Sequence, residues 1–227
     1  MIKWILLAFA VCTFSGLTGQ TCTPWFPFEE GIEFEYTFYS KKDKESSRTY
    51  YTVDQVSKSG NNYQADITAT MHLRKGEPQV LSFTVSCSNG IYTADLSDFM
   101  NPSFKESFGE SEITITGSEL QIPANLSTGQ TLPDAETKME AQVGPIKMKI
   151  LMEVTNRKVG NKVSISTPVK SFDCYELTSR ERVKVPLFDR TYNVTHYYAA
   201  GYGQVKSEYY DKKGNLDSYM LLTAFKK

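Results

Sequence analysis

An all-β fold is predicted for this chain: a strongly bent antiparallel sheet of barrel-like or β-roll form, with little helix. Three observations predict it. Apolar and polar residues alternate with a period of two through most of the 227 residues, the pattern of strands with one buried face. Fourteen Tyr and thirteen Phe favour strands over helices. Sustained helical periodicity is missing.

The strands follow in order. From Gly31 to Ser40, Ile32, Phe34, Tyr36 and Phe38 share one face, with Glu33, Glu35 and Thr37 opposite. From Tyr63 to Arg74, six apolar residues alternate with Gln64, Asp66, Thr68, Thr70, His72 and Arg74. Leu81, Phe83, Val85 and Cys87 continue the pattern, and Asn89-Gly90 then supplies a two-residue hairpin turn. Asp95 to Ser107 breaks the alternation at Asn101-Pro102 and reads as a short helix or a loop. A second irregular stretch, Gly117 to Asp134, carries Pro123, Gly129 and Pro133. Met139, Ala141 and Val143 resume the pattern, Gly144-Pro145 turns the chain, and Ile146, Met148, Ile150, Met152 and Val154 return. Further strands are expected at Val163–Ser166, Ser171–Leu177, Val183–Val185, Thr191–Tyr198, Gln204–Tyr210 and Leu216–Phe225. Three polar runs, after Tyr39, His72 and Tyr210, share Lys with Asp or Gly and read as solvated hairpin tips.

Met1 to Gln20 has one early lysine, an apolar run from Trp4 to Phe14 and small or polar residues after it, which reads as a secretory signal peptide. Residues 21–227 are then one β-rich domain, with two half-barrel-like halves meeting near 117–134 as the alternative division. Export to the periplasm or the extracellular space is expected, with no transmembrane segment, because a spanning helix needs roughly 20 apolar residues. Gln20 and Thr21 make a poor lipoprotein signal, so a lipid anchor at Cys22 is the minor alternative.

Cys12 leaves with the signal, and Cys22, Cys87 and Cys174 remain. In an oxidising compartment this predicts one bridge, Cys22 with Cys87, and a buried free thiol at Cys174 within Ser171–Leu177. Closing that loop of 65 residues (87 − 22) would contribute on the order of 3 to 4 kcal/mol in the chain-entropy picture.

Motifs for chemistry are sparse. Removal of Lys3 takes the 25 basic residues to 24 against 26 acidic, a net charge of −2, which gives no steering field for nucleic acid. Of two histidines, His72 falls on a polar face and His196 in a row with Tyr192, Val194 and Tyr198, where a packed or edge residue is expected. No Cys or His pair has metal-ligand spacing, and no Gly-x-Ser-x-Gly elbow, phosphate loop or dinucleotide fingerprint occurs. The carboxylate pairs Glu29-Glu30, Asp95 with Asp98, and Glu110 with Glu112 lie in polar turns and read as solvated surface. Catalytic, cofactor and metal sites are therefore not assigned.

Several motifs together resemble a known family. They are Cys22-Thr23-Pro24-Trp25-Phe26-Pro27, Cys87-Ser88-Asn89-Gly90, Leu120-Gln121-Ile122-Pro123, Gly129-Gln130-Thr131-Leu132-Pro133-Asp134, Asn156-Arg157-Lys158-Val159 and Phe172-Asp173-Cys174-Tyr175. Their order resembles the TapB-like, or domain of unknown function 3108-like, secreted β-proteins of Gram-negative envelopes. The last family motif looks like Trp-Tyr-x-x-Gly-Val-Gly-x-Val-Lys-x-Glu. Here Tyr197 stands at the tryptophan and Tyr202 at the first valine, while Gly201, Gly203, Val205, Lys206 and Glu208 fit. The turn at Thr167-Pro168 lacks the glycine that the family has there. The resemblance implies a bent antiparallel sheet and export, and carries no activity.

Many inward-facing apolar and aromatic side chains on a bent sheet either pack solid or leave a lipophilic cavity. The expected function is that of a non-enzymatic envelope protein binding or carrying an apolar small molecule. The alternative is a structural module whose sheet edges engage another envelope protein, with no small ligand. In this reading Gly201 and Gly203 allow a bend between strands, and the stretch from Tyr197 to Phe225 is structural.

Overall fold

The computed structural model describes residues 25–94, 113–143 and 146–227. Thirteen strands and no helix make up these segments. The first five are β1 (Glu33–Ser40), β2 (Glu45–Ser59), β3 (Asn62–Leu73), β4 (Gln79–Ser88) and β5 (Ile91–Ala94). Next come β6 (Ile113–Gly117), β7 (Leu120–Pro123), β8 (Ala135–Val143) and β9 (Ile146–Ser166). The last four are β10 (Ser171–Val185), β11 (Phe188–Ala199), β12 (Gly203–Tyr210) and β13 (Leu216–Lys226).

All thirteen belong to one sheet, in the order β6-β8-β9-β10-β11-β12-β13-β1-β2-β3-β4-β5-β7. Every neighbouring pair is antiparallel. Most neighbours are sequential hairpins; the long-range closure is β1 against β13, where Phe34 faces Phe225 and Tyr39 faces Tyr219.

The two edges, β6 and β7, are consecutive in sequence, with only Ser118 and Glu119 between them. Three steps of chain reach at most roughly 11 Å. The sheet must therefore roll until its ends nearly meet at this corner, although β6 and β7 share no ladder. Gly117 permits the corner, because a Cβ there would lie 2.2 Å from the Glu136 carbonyl oxygen. Beyond β7 the chain crosses to the opposite end, where Leu132 N donates to Arg157 O at 3.0 Å and Thr131 bridges Lys158.

The roll buries the rows that alternation marked. Phe34, Tyr36, Val53, Ala65, Ile67, Phe83, Val85, Val205, Met220 and Leu222 form the main core. Each fully buried aliphatic side chain in such a core contributes about 1.5–3 kcal/mol. A second cluster joins Trp25, Ile122, Leu126, Leu132, Val159, Leu177 and Tyr198. Trp25 anchors the leading segment inside the roll by donating its indole N–H to Pro123 O at 2.6 Å. Met139, Ala141 and Ile150 make a small third cluster, packed against Val185.

The three lysine-bearing tips are hairpin turns, β1–β2, β3–β4 and β12–β13. Gly201 and Gly203, both at φ +76°, frame the turn joining β11 to β12. The turn before Ser171 closes without glycine, Thr167 N donating to Lys170 O at 3.0 Å. Several strands differ from expectation. β2 was not marked by alternation, because it exposes Tyr50 and many polar side chains and buries chiefly Thr49 and Val53. β7 lies inside the stretch expected to be irregular. Two expected pieces, at 146–154 and 163–166, are one 21-residue strand, β9, interrupted by bulges rather than loops. The expected helix or loop over Asp95–Ser107, the turn at Gly144-Pro145 and the signal segment lie outside the described residues.

Candidate functional site

The site begins with a bulge. Thr155 faces Arg180 and Lys158 faces Thr178, so three steps along β9 match two along β10. Asn156 takes the extra residue at φ +55°, a left-handed conformation that Asn tolerates better than most residues. The bulge inverts the facing of the strand. Met152 and Val154 point inward before it and Arg157 and Val159 after it, which carries a charged side chain into the roll.

Arg157 is only 5% exposed. Its Nη1 donates to Pro133 O at 2.6 Å, the one hydrogen bond its side chain makes among the described residues. No carboxylate pairs with it within ion-pair distance there. Burial pulls its pKa below the ordinary value, against the fields of Tyr198, Asp134 and Glu181. It remains a cation at neutral pH, since guanidinium does not deprotonate in proteins.

Arg157 borders a cavity of about 330 Å³. Leu120, Leu132, Met152, Val154 and Leu177 form the apolar wall, and Glu181, His196 and Gln204 are polar groups of its lining. Tyr198 and Gln204 also border a second space of about 160 Å³, enclosed by Phe34, Tyr36, Phe83, Tyr92 and Met220. These two residues thus stand as the partition between the spaces. Burial raises the Tyr198 phenol to about 12, so it stays protonated and able to donate.

Cross-strand register assembles the polar group. Leu177, His196 and Ser207 lie side by side on β10, β11 and β12. His196 Nε2 lies 2.7 Å from Glu181 Oε1, and Ser179 Oγ donates to the same oxygen at 3.2 Å. Desolvation works to raise the Glu181 pKa, but His196, Ser179 and Arg157 together hold it below the usual carboxylate value. Ser207 Oγ stands 2.8 Å from His196 Nδ1, and Gln204 Nε2 is 3.1 Å from that nitrogen.

Serine, imidazole and carboxylate in a row is the order of a charge-relay triad. Two features oppose nucleophilic work. Ser207 exposes 0% of its surface, and its hydroxyl oxygen accepts from Gln204 Nε2, so a substrate carbonyl has no approach. Chemically, the row is suited to holding fixed hydrogen-bonding groups against a cavity.

The candidate residues from sequence fall as follows. His72 is exposed and meets Tyr50 edge-to-face, with ring centroids 5.4 Å apart. His196, expected as a packed or edge residue, is half-buried at the centre of the polar group. Glu29 and Glu30 are exposed; Asp95, Asp98, Glu110 and Glu112 lie outside the described residues. Cys174 is buried and free, and burial raises its thiol to about 11. Cys87 is buried and is not free, whereas Cys22 lies outside the described residues. Among the described residues no cluster of three His, Cys, Asp or Glu could hold a metal ion. Arg157, Glu181, Gln204 and Ser207 were not singled out as functional by sequence reasoning. A polar Asn-Arg-Lys run interrupting an apolar strand was the available signal.

The DUF3108-like family matches over residues 29–222. The chain belongs to the DUF3108-like family. This DUF3108-like chain is similar to two solved structures. One is a protein of Bacteroides fragilis NCTC 9343 named as an inferred exported protein with a YmcC-like fold (TM-score 0.74, 20% identity, 91% of this chain and 100% of that one). The other, from Parabacteroides distasonis ATCC 8503, is named as an inferred lipoprotein (TM-score 0.74, 23% identity, 91% and 100%). At these identities the likeness carries the fold alone. No curated protein matches. Among the described residues no helix is long and apolar enough to cross a membrane.

Proposed function

We propose that this DUF3108-like protein is an exported, non-enzymatic binding module that carries a lipophilic small molecule inside its rolled sheet. The observation that carries the reading is the cavity of about 330 Å³ walled by Leu120, Leu132, Met152, Val154 and Leu177. Small-molecule sites are concave and mostly apolar, with a few placed polar groups, and span roughly 300–1,000 Å³. This cavity sits at the small end and suits one acyl chain or a compact ring system. Supporting export are the signal pattern of Met1 to Gln20 and the names of the two similar structures. The inaccessible Ser207 supports a binding role over catalysis.

Native mass spectrometry of the mature protein, gently purified from its own envelope fraction, tests the reading. A reproducible added mass that vanishes on denaturation is expected. A bare mass, together with no saturable uptake of apolar probes, would sink the carrier reading. It would favour a structural module acting through its edge strands and the β10–β11 tip, where Leu187 is 100% exposed.

A further inference from the structure

A buried guanidinium without a carboxylate partner is an uncommon arrangement, because a charge removed from water is ordinarily paired. Arg157 is 5% exposed, and among the described residues its only hydrogen-bond acceptor is the Pro133 carbonyl. The nearby Glu181 does not meet the need. Its Oε1 is committed to His196 at 2.7 Å and to Ser179 at 3.2 Å, and neither of its oxygens forms an ion pair with Arg157 within 4.0 Å. Asp134 is exposed and forms no ion pair with Arg157 within 4.0 Å. Four further guanidinium N–H groups are thus available, on a side chain that borders a cavity whose apolar wall is Leu120, Leu132, Met152, Val154 and Leu177 and whose polar lining includes Glu181, His196 and Gln204.

We propose that the cavity takes a single-chain amphiphile with an anionic head group, the anion seated on Arg157 and the chain lying against Leu120, Leu132, Met152, Val154 and Leu177. The proposal rests on the carrier reading above and adds the ligand class and its anchoring residue. A planar guanidinium donates to a carboxylate or phosphate through two parallel N–H groups, which fixes the head while the apolar wall takes the tail. The Asn156 bulge is the local device that turns Arg157 inward, since uninterrupted alternation would leave it facing solvent. A cationic head group would meet like charge in a low-dielectric space, and a neutral one would leave the guanidinium unpaired.

Isothermal titration of the delipidated mature protein with dodecanoate, dodecanol and dodecylammonium, each below its aggregation limit, tests this. Dodecanoate is expected to bind at least tenfold more tightly than dodecanol, with dodecylammonium weakest. Arg157→Met is expected to lower dodecanoate affinity tenfold or more while leaving dodecanol within about twofold, and Arg157→Lys should restore part of the preference. Equal binding of dodecanoate and dodecanol by the unaltered protein would overturn the anion site and leave the carrier reading standing. Binding of none of the three would overturn both. Should Arg157→Met fail to fold, the comparison of the three ligands on the unaltered protein still decides. Retention of the anion preference in a folded Arg157→Met variant would overturn the assignment to Arg157.

Discussion

His196 Nε2 and Glu181 Oε1 stand 2.7 Å apart on neighbouring strands β11 and β10, inside the rolled sheet. A carboxylate only accepts, so the ring N–H is the donor. Glu181→Gln should lower stability at pH 7 by about 1–2 kcal/mol, measured by urea unfolding. The Glu181 pKa is depressed in the folded protein, so its contribution is complete above the ordinary value of 4.5 and is lost as pH falls through the folded value. The gap between the two proteins should therefore narrow below pH 4.5. A gap unchanged at pH 3 would show that Glu181 is not held ionised by its neighbours.

Gly203 and Gly201 share φ +76° but differ in surroundings. A Cβ on Gly203 would lie 2.8 Å from the Trp25 carbonyl oxygen, whereas nothing lies within 4 Å at Gly201. Gly203→Ala should cost about 2–4 kcal/mol, backbone strain plus displacement of the leading segment. Gly201→Ala should cost only about 1 kcal/mol. Equal urea midpoints for the two variants would contradict the close seating of Trp25.

The cysteines give a chemical readout. Cys174 is buried with its thiol raised to about 11, so iodoacetamide should modify it only after unfolding. Non-reducing peptide mapping should recover Cys22 joined to Cys87. Cys87→Ser should then cost about 3 to 4 kcal/mol in an oxidising buffer. Recovery of Cys22 as a free thiol would refute the pairing.

Val154 lines the cavity from β9 and is half-buried. Val154→Trp should fill part of the about 330 Å³ and reduce uptake of apolar probes tenfold or more. Its thermal midpoint should stay within a few degrees, because the added bulk enters empty space. Unchanged uptake would place binding elsewhere on the protein.

Much of the fold was legible because alternation is local. The rows Ala65, Ile67, Ala69 and Phe83, Val85, Cys87 read directly as one buried face, and all six are buried. The lysine-bearing tips were likewise readable as turn chemistry. The strand β2 was not, since its inward residues are Thr49 and Val53 among polar neighbours and its place is set by pairing with β1 and β3. The site was barely legible. His196 stood in an apolar row, and the Tyr197–Phe225 stretch read as structural, yet it supplies Tyr198, Gln204, Ser207 and Tyr209 to the cavity and its polar group.

By itself the sequence determined most of the strands, their buried faces and the hairpin tips, because each depends on neighbours within a few residues along the chain. Only the tertiary structure decided that the sheet rolls until β6 and β7 nearly meet, that the Asn156 bulge turns Arg157 inward, and that Glu181, His196 and Ser207 align. Those outcomes depend on register between strands, and a shift of one residue would send each of these side chains to the opposite face. Local alternation carries no record of that choice.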